Sequence, residues 1–451
     1  MPLIRKPLPV SQTAYTVGYM DKVILPGTGW RQLDGQQYSG KVVMEEIAGD
    51  TVFSSAPIGV GKTAKFSGRS GQTATVLVAK PSSCGYTDHS DGYYVTDIDE
   101  LRQLMPSIQW NGQDDKVYLA EGVYKTGGRP IIYDAQDGTE RVEIIGCGPG
   151  LTVFDAESNG RVFEFYTAGP SGDHYFRSQF GSFKLEGMSI VGGHCVDSSC
   201  SLGNAFSGIV NAQLLDADLV RVEFLSNREN WGGAVSNTRH TTLSEVVFAG
   251  NSNMVRDSGS ALTACGSLHI QDSVISGNFN PTSYGSPAAV VRGACIWWDV
   301  SDFSITVSRS LFEGNTNALY AMTGRSDLVS NMVVEDSKFL ANESNNYGGA
   351  AIASAVGNVT IRGTEFIRNK IVNQKSEASV CDIALNCQSG GALHVDNYWL
   401  GSGGVLVERS LFRDNSAPSY GGAISYSEHW DCENERWREG IALCNPSHYG
   451  S

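Results

Sequence analysis

The sequence predicts an all-β chain: a right-handed parallel β-helix, preceded by a small β-rich region and a short capping helix. Three observations carry this. An apolar residue, two further residues and then Asn recur seven times. The Asn positions are Asn227, Asn251, Asn278, Asn315, Asn342, Asn369 and Asn415, behind Phe224, Phe248, Ile275, Phe312, Phe339, Phe366 and Phe412. Their intervals of 24, 27, 37, 27, 27 and 46 residues are those of a solenoid repeat with insertions. Runs such as 358–366 and 405–412 alternate with a period of two, so each has one face in and one face out. Gly-Gly-Ala returns after the Asn at 232–234, 348–350, 390–392 and 421–423, with weaker copies at 259–261 and 292–294 and a stand-in at 317–319.

Each part of the motif has a physical reason. Asn is expected at a bend between two short strands because it tolerates left-handed backbone. One Asn per rung also lets neutral amides stack and hydrogen-bond between rungs, where a charged residue would repel its own copies. Gly-Gly supplies a tight corner and Ala a small inward side chain. The seven Asn are therefore read as structural. Right-handedness follows from the preference of parallel crossovers.

Phe-x-x-Asn with Gly-Gly-Ala-Ile/Leu, from Phe224 to about Ile424 and more loosely back to about Val117, resembles the repeats of polymorphic outer-membrane proteins. These lie within the wider pectin-lyase-like superfamily of right-handed β-helices. The resemblance implies the fold. For function it implies a range, since adhesins, polysaccharide lyases, epimerases and phage tailspikes share that fold. Outer-membrane members also carry a C-terminal translocating barrel, which the residues up to Ser451 do not resemble.

In chain order, residues 1–80 read as the small β-rich region, with strands expected at 13–20, 41–47 and 74–80. The run 56–63 imitates a phosphate loop. Ala56 stands where the first Gly belongs and no helical pattern follows, so no nucleotide site is read there. Residues 81–106 are a linker and the capping helix. The helix has an apolar face of Ile98, Leu101, Leu104 and Met105, a cap from Thr96 and Asp99, and Pro106 as its stop. It would cover an open end of strand edges and exposed core. The β-helix is assigned to 107–428, with first rungs at 116–124, 142–146, 162–165 and 183–190, and 429–451 to a disulfide loop or truncated end.

The net charge of −15 argues against nucleic acid and anionic membrane as partners. No apolar run is long enough for membrane insertion. No Cys/His cluster has zinc spacing, so neither metal nor cofactor is expected. Ten cysteines point to an oxidising compartment, extracellular or at the cell surface. Cys195–Cys200, Cys381–Cys387 and Cys432–Cys444 are expected as local disulfides in segments that interrupt the repeat; Cys265 and Cys295, inside rungs, are read as free buried thiols. The first residues lack the apolar stretch of a secretory leader, so the true start is expected outside this sequence.

Function is sought where the repeat is interrupted. Insertions between Asn and Gly-Gly-Ala, longest at 279–291 and 370–389, must leave one edge of the solenoid. Segments after Gly-Gly-Ala carry Trp297, Trp298 and Asp299; His394, Asp396, Tyr398 and Trp399; and Tyr426, His429 and Trp430. Aromatic faces beside hydrogen-bonding groups suit sugar rings; the alternative is ordinary packing under the loops. The leading expectation is a β-helix that binds a polysaccharide or cell-surface glycan, or mediates adhesion. The alternative is a lyase or epimerase acting on a uronate glycan. His394, Asp396 and Tyr398 would then move protons, and Arg292, Arg325 or Arg413 would neutralise the carboxylate. A hydrolase would instead pair Asp299 with Asp396.

Overall fold

The computed structural model describes residues 13–17, 22–33, 44–54, 63–68, 72–78, 91–109, 111–134, 140–166, 181–195, 209–212, 215–229, 233–253, 259–280, 289–292, 303–322, 330–344, 349–355, 357–372, 390–396, 404–418 and 422–427. It is nearly all β. The N-terminal strands form a four-stranded and a three-stranded sheet. They share a core of Val17, Val23, Leu25, Trp30, Phe53, Ala64, Phe66, Ala74 and Val76. Thr63 opens a strand, Thr63–Ser67, where a phosphate loop would need a helix.

Helix α1 spans Ile98–Ile108 and corrects three expectations. Its cap is Asp97, whose Oδ1 accepts from the N–H groups of Asp99 and Glu100, both at 2.9 Å. Glu100 reaches back to accept from the Thr96 N–H at 2.7 Å and from its hydroxyl. Pro106 lies inside the helix and does not stop it. It removes one hydrogen bond near the C-terminal end, and Gln109 N–H still donates to Met105 O at 3.2 Å to close the last turn. The buried face is Leu101, Met105 and Ile108, all joined to the main core, with Ile98 and Leu104 packed at its margin.

Beyond α1 the chain stacks parallel strands in three columns, an arrangement compatible with a parallel β-helix. One rung shows the plan: Asn358–Arg362 in the first column, Glu365–Ile367 in the second and Leu393–Asp396 in the third. The next rung repeats it in register with Val405–Glu408, Leu411–Arg413 and Ile424–Ser427. The first two columns belong to one 19-stranded sheet and the third to a ten-stranded sheet. Phe rings from successive second-column strands stack inside: Phe312 on Phe339 at 4.6 Å, Phe339 on Phe366 at 5.0 Å and Phe366 on Phe412 at 4.6 Å.

The Asn residues follow the second column and hydrogen-bond in order. Asn342 Nδ2 donates to Asn369 Oδ1 at 2.9 Å and to Phe312 O at 3.0 Å. Its Oδ1 accepts from Asn315 twice, from the backbone N–H and from Nδ2, both at 3.0 Å. The same side-chain bond joins Asn227 to Asn251, Asn251 to Asn278, Asn278 to Asn315, and Asn369 to Asn415. The bend itself is made elsewhere. Left-handed φ belongs to the residue before each Asn: Ser226, Gly250, Gly277, Gly314, Ala341, Arg368 and Asp414. These Asn are thus selected for the amide and not for left-handed backbone, because the amide alone offers two donors and an acceptor in a buried column.

A second column lies two residues before the apolar position. Ser273, Ser310, Ser337, Thr364 and Ser410 each accept a backbone N–H from the preceding rung at 3.1–3.4 Å. Each hydroxyl donates to the carbonyl two residues back, as Ser337 Oγ does to Glu335 O at 2.7 Å.

Register also moves two corners. The buried Ala column contains Ala234, Ala261, Ala318, Ala351 and Ala392. The corner at 348–350 is therefore shifted by one, to 349–351. Gly349 has φ +72, and a Cβ there would meet Ile352 O at 1.9 Å. Ala289–Arg292 is a third-column strand paired with Leu319–Met322, so 292–294 is not a corner and the insertion before that strand is shorter than expected.

Asn342→Asp should destabilise the fold by about 3–5 kcal/mol at neutral pH, because it loses two donations and buries a charge. A buried carboxyl has a raised pKa, so the folded state binds the proton more tightly and the deficit should shrink as pH falls. Ser337→Ala should cost about 1–2 kcal/mol. Denaturant titrations at several pH values check both; a wild-type midpoint for Asn342→Asp at pH 7 would show the column to be dispensable.

Candidate functional site

The third column positions the residues singled out for function. Its strands alternate, so Leu393 and Val395 enter the core while His394 faces out. Facing out does not make His394 accessible: it is 3% exposed, with Nδ1 3.3 Å from Ser425 Oγ. Outward neighbours along the column are buried as well, including Ser236, Thr263 and Tyr320. Asp396 continues the same strand, its backbone in register with Ser427. Tyr426 pairs with Val395 on the inward parity and packs against the core, so it does not belong to the sugar-facing set; the alternation of the strand decides this.

Trp297, Trp298, Asp299, Tyr398, Trp399 and Trp430 lie outside the described residues, as do Arg325 and His429. Their points of departure are fixed. Arg292, Met322 and Ala355 are in register, as are Asp396 and Ser427, and the strands carrying the two sets are paired. The segments that bear the aromatics therefore leave from one line, after Arg292, Asp396 and Ser427. Arg413 is on the second column, exposed, with Asp414 at 3.9 Å. The proposed acid–base residue His394 and this arginine thus occupy different columns, and His394 is closed off from solvent.

Cys147, Cys195 and Cys265 are each disulfide-bonded. Cys200, Cys381, Cys387, Cys432 and Cys444 lie outside the described residues, and the three expected pairings with them. The bonded state of Cys265 corrects the expectation of a free thiol. Among the described residues no group of His, Cys, Asp or Glu could hold a metal ion, and no helix is long and apolar enough to cross a membrane.

The sequence reading missed a buried ionic cluster. Arg161 Nη1 lies 2.9 Å from Glu164 Oε1, and Nη2 lies 3.6 Å from Glu229 Oε1, with all three side chains at most 6% exposed. Tyr166 donates its hydroxyl to Glu164 Oε2 at 2.5 Å. Burial, followed by the Glu164 charge, pushes the Tyr166 hydroxyl well above its ordinary range. The cluster ties the third-column strand Phe163–Tyr166 to the short strand Arg228–Glu229. Its signal was Glu164 inside the apolar run 162–166; the Glu229 partner is visible only in space.

Further ion pairs follow the first column and the bend after it. Arg309 grips Asp272 through two contacts at 2.8 and 2.9 Å, and Arg362 bridges Glu335 and Glu408. His240 Nδ1 accepts the Ser267 N–H at 3.2 Å, and burial holds its pKa below the usual value of 6.5.

A comparison with protein families finds no match, and one with curated proteins finds none either.

Arg161→Met should destabilise the chain by about 3–5 kcal/mol, because it strands two buried carboxylates; a denaturation midpoint within error of wild type would contradict this. For His240, the folded pKa lies below the unfolded one. Its contribution to stability is therefore complete above the unfolded value and declines as pH falls through and below about 6.5. His240→Gln should flatten that limb of the stability–pH curve, and an unchanged limb would assign it to other groups.

Proposed function

We propose that this is an extracellular or cell-surface solenoid that binds an extended carbohydrate, in the manner of an adhesin. The repeat motif's resemblance to polymorphic outer-membrane protein repeats and the pectin-lyase-like superfamily supports a right-handed β-helix as its frame. The observation that carries the functional reading is the common line of departure of the aromatic-bearing segments. Arg292 and Asp396 are three rungs apart, about 14 Å at ~4.8 Å per rung, and Ser427 follows one rung later. Trp297, Trp298, Tyr398, Trp399 and Trp430 follow these three points within a few residues of chain, and a flank built from them would suit successive sugars of a chain. Disulfides Cys381–Cys387 and Cys432–Cys444 would tether loops rather than hold up the core, and Cys195–Cys200 would tie its loop to the rung strand that carries the buried Cys195.

The enzymatic alternative, a lyase or epimerase on a uronate glycan, is less well supported because His394 is buried. Trp298→Ala and Trp399→Ala should each weaken glycan binding by about 1–3 kcal/mol with an unchanged circular dichroism spectrum. A glycan array with the purified chain supplies the ligand, and titration calorimetry the affinities. Normal binding by both variants, or unfolding of both, would remove the site. An ultraviolet-absorbing unsaturated product formed from a bound uronate glycan would favour the lyase.

A further inference from the structure

The outer face of the second column is uneven in a way the repeat does not explain. In each three-residue strand the middle residue enters the core and the outer two face away from it, as Val247 and Ala249 do around Phe248. At the two ends of the stack such outward residues are exposed: Val123 at 61% and Leu411 at 44%. Across the middle rungs they are not. Val247, Ala249, Val274, Ser276, Leu340 and Ile367 are all buried, and Leu225 and Leu311 pack at the edge of this separate apolar cluster. Since the core lies on the opposite side of the sheet, this burial comes from a cover lying on the outer face.

One contact identifies what reaches that face. Lys338, on the outward parity of the strand Lys338–Leu340, lies 2.5 Å from Glu45 Oε1 and 2.8 Å from Glu365 Oε2. Glu365 is its neighbour on the next rung. Glu45 comes from the N-terminal unit, almost 300 residues earlier, in the strand Glu45–Ile47. We propose that this strip is a docking surface whose occupant is the chain's own N-terminal β unit, seated over the middle rungs and clamped where Lys338 is held between Glu45 and Glu365. The apolar strip supplies burial without direction, and the lysine between two carboxylates fixes the seat. The strip is on the second column and the aromatic segments leave the third, so the docking stands or falls apart from glycan binding.

The test uses the full chain with Ser276→Cys as a reporter in the strip, labelled with a thiol reagent after folding. With Glu45 in place, labelling should be slow and should quicken with ionic strength as the clamp is screened. Glu45→Lys sets like charges against each other and should speed labelling of residue 276 by tenfold or more; Glu45→Gln should give a smaller rise. Circular dichroism must be unchanged in both, and the milder variant keeps the test open should the charge reversal disturb folding. Labelling that ignores residue 45 would overturn the proposal. So would labelling that slows with protein concentration whatever residue 45 is, because the cover would then be a second copy.

Discussion

A carboxamide that can be saturated from both sides is the constraint on which the stack depends. Each internal Asn gives one Nδ2 proton to the next Asn and the other to a carbonyl of the rung before, while its Oδ1 takes two N–H groups from the preceding Asn. No other side chain of that size does this without charge. The column is fully buried from Asn227 to Asn369, where an unmatched donor or acceptor would cost about 1–3 kcal/mol. The requirement therefore repeats with the rung and tolerates no substitution that changes the pattern of donors.

Other regularities can be understood as accommodations to that column. The left-handed residue ahead of each Asn turns the chain and frees the Asn to point inward. The Phe or Ile three residues earlier supplies both the stacked core side chain and the carbonyl that accepts from the next amide. The Ser/Thr column at the preceding bend repeats the principle with a hydroxyl, accepting from one rung and donating within its own. Insertions enter only after the Asn has been placed, or after the third column, so their length does not disturb the register. That freedom lets the 46-residue interval from Asn369 to Asn415 close with the same hydrogen bond as a 27-residue one.

Much of this was legible in the sequence, because the repeat forces identical chemistry at fixed spacing. Phe-x-x-Asn marks the second column and the alternation of 358–366 marks a first-column strand. The sequence did not reveal which residue bends the chain: Asn has both a left-handed tolerance and a useful amide, and only geometry separates them. The Ser/Thr column was present at a constant offset yet overlooked, since Ser and Thr are common in turns. The corner at 292–294 misled because Gly-Ala is a weak motif and strand register outranks it. The candidate site was less legible still. Candidate residues were chosen by type and place in the repeat, which do not report cover: His394 faces outward and is nonetheless buried, and Tyr426 took the inward parity that its aromatic character concealed. The Arg161 cluster depends on a partner 68 residues away, beyond any local pattern.

The central claim is that buried asparagine amides lock the rungs together. Hydrogen exchange of side-chain carboxamide protons, followed by NMR on a chain labelled with 15N only at Asn, tests it most directly. The account predicts slow carboxamide signals from the column, exchanging no faster than the core backbone amides and only on cooperative unfolding, while the exposed Asn358 exchanges rapidly. Carboxamide exchange in the column as fast as at Asn358, with the backbone still protected, would mean that the rungs hold without the amides and would contradict the account.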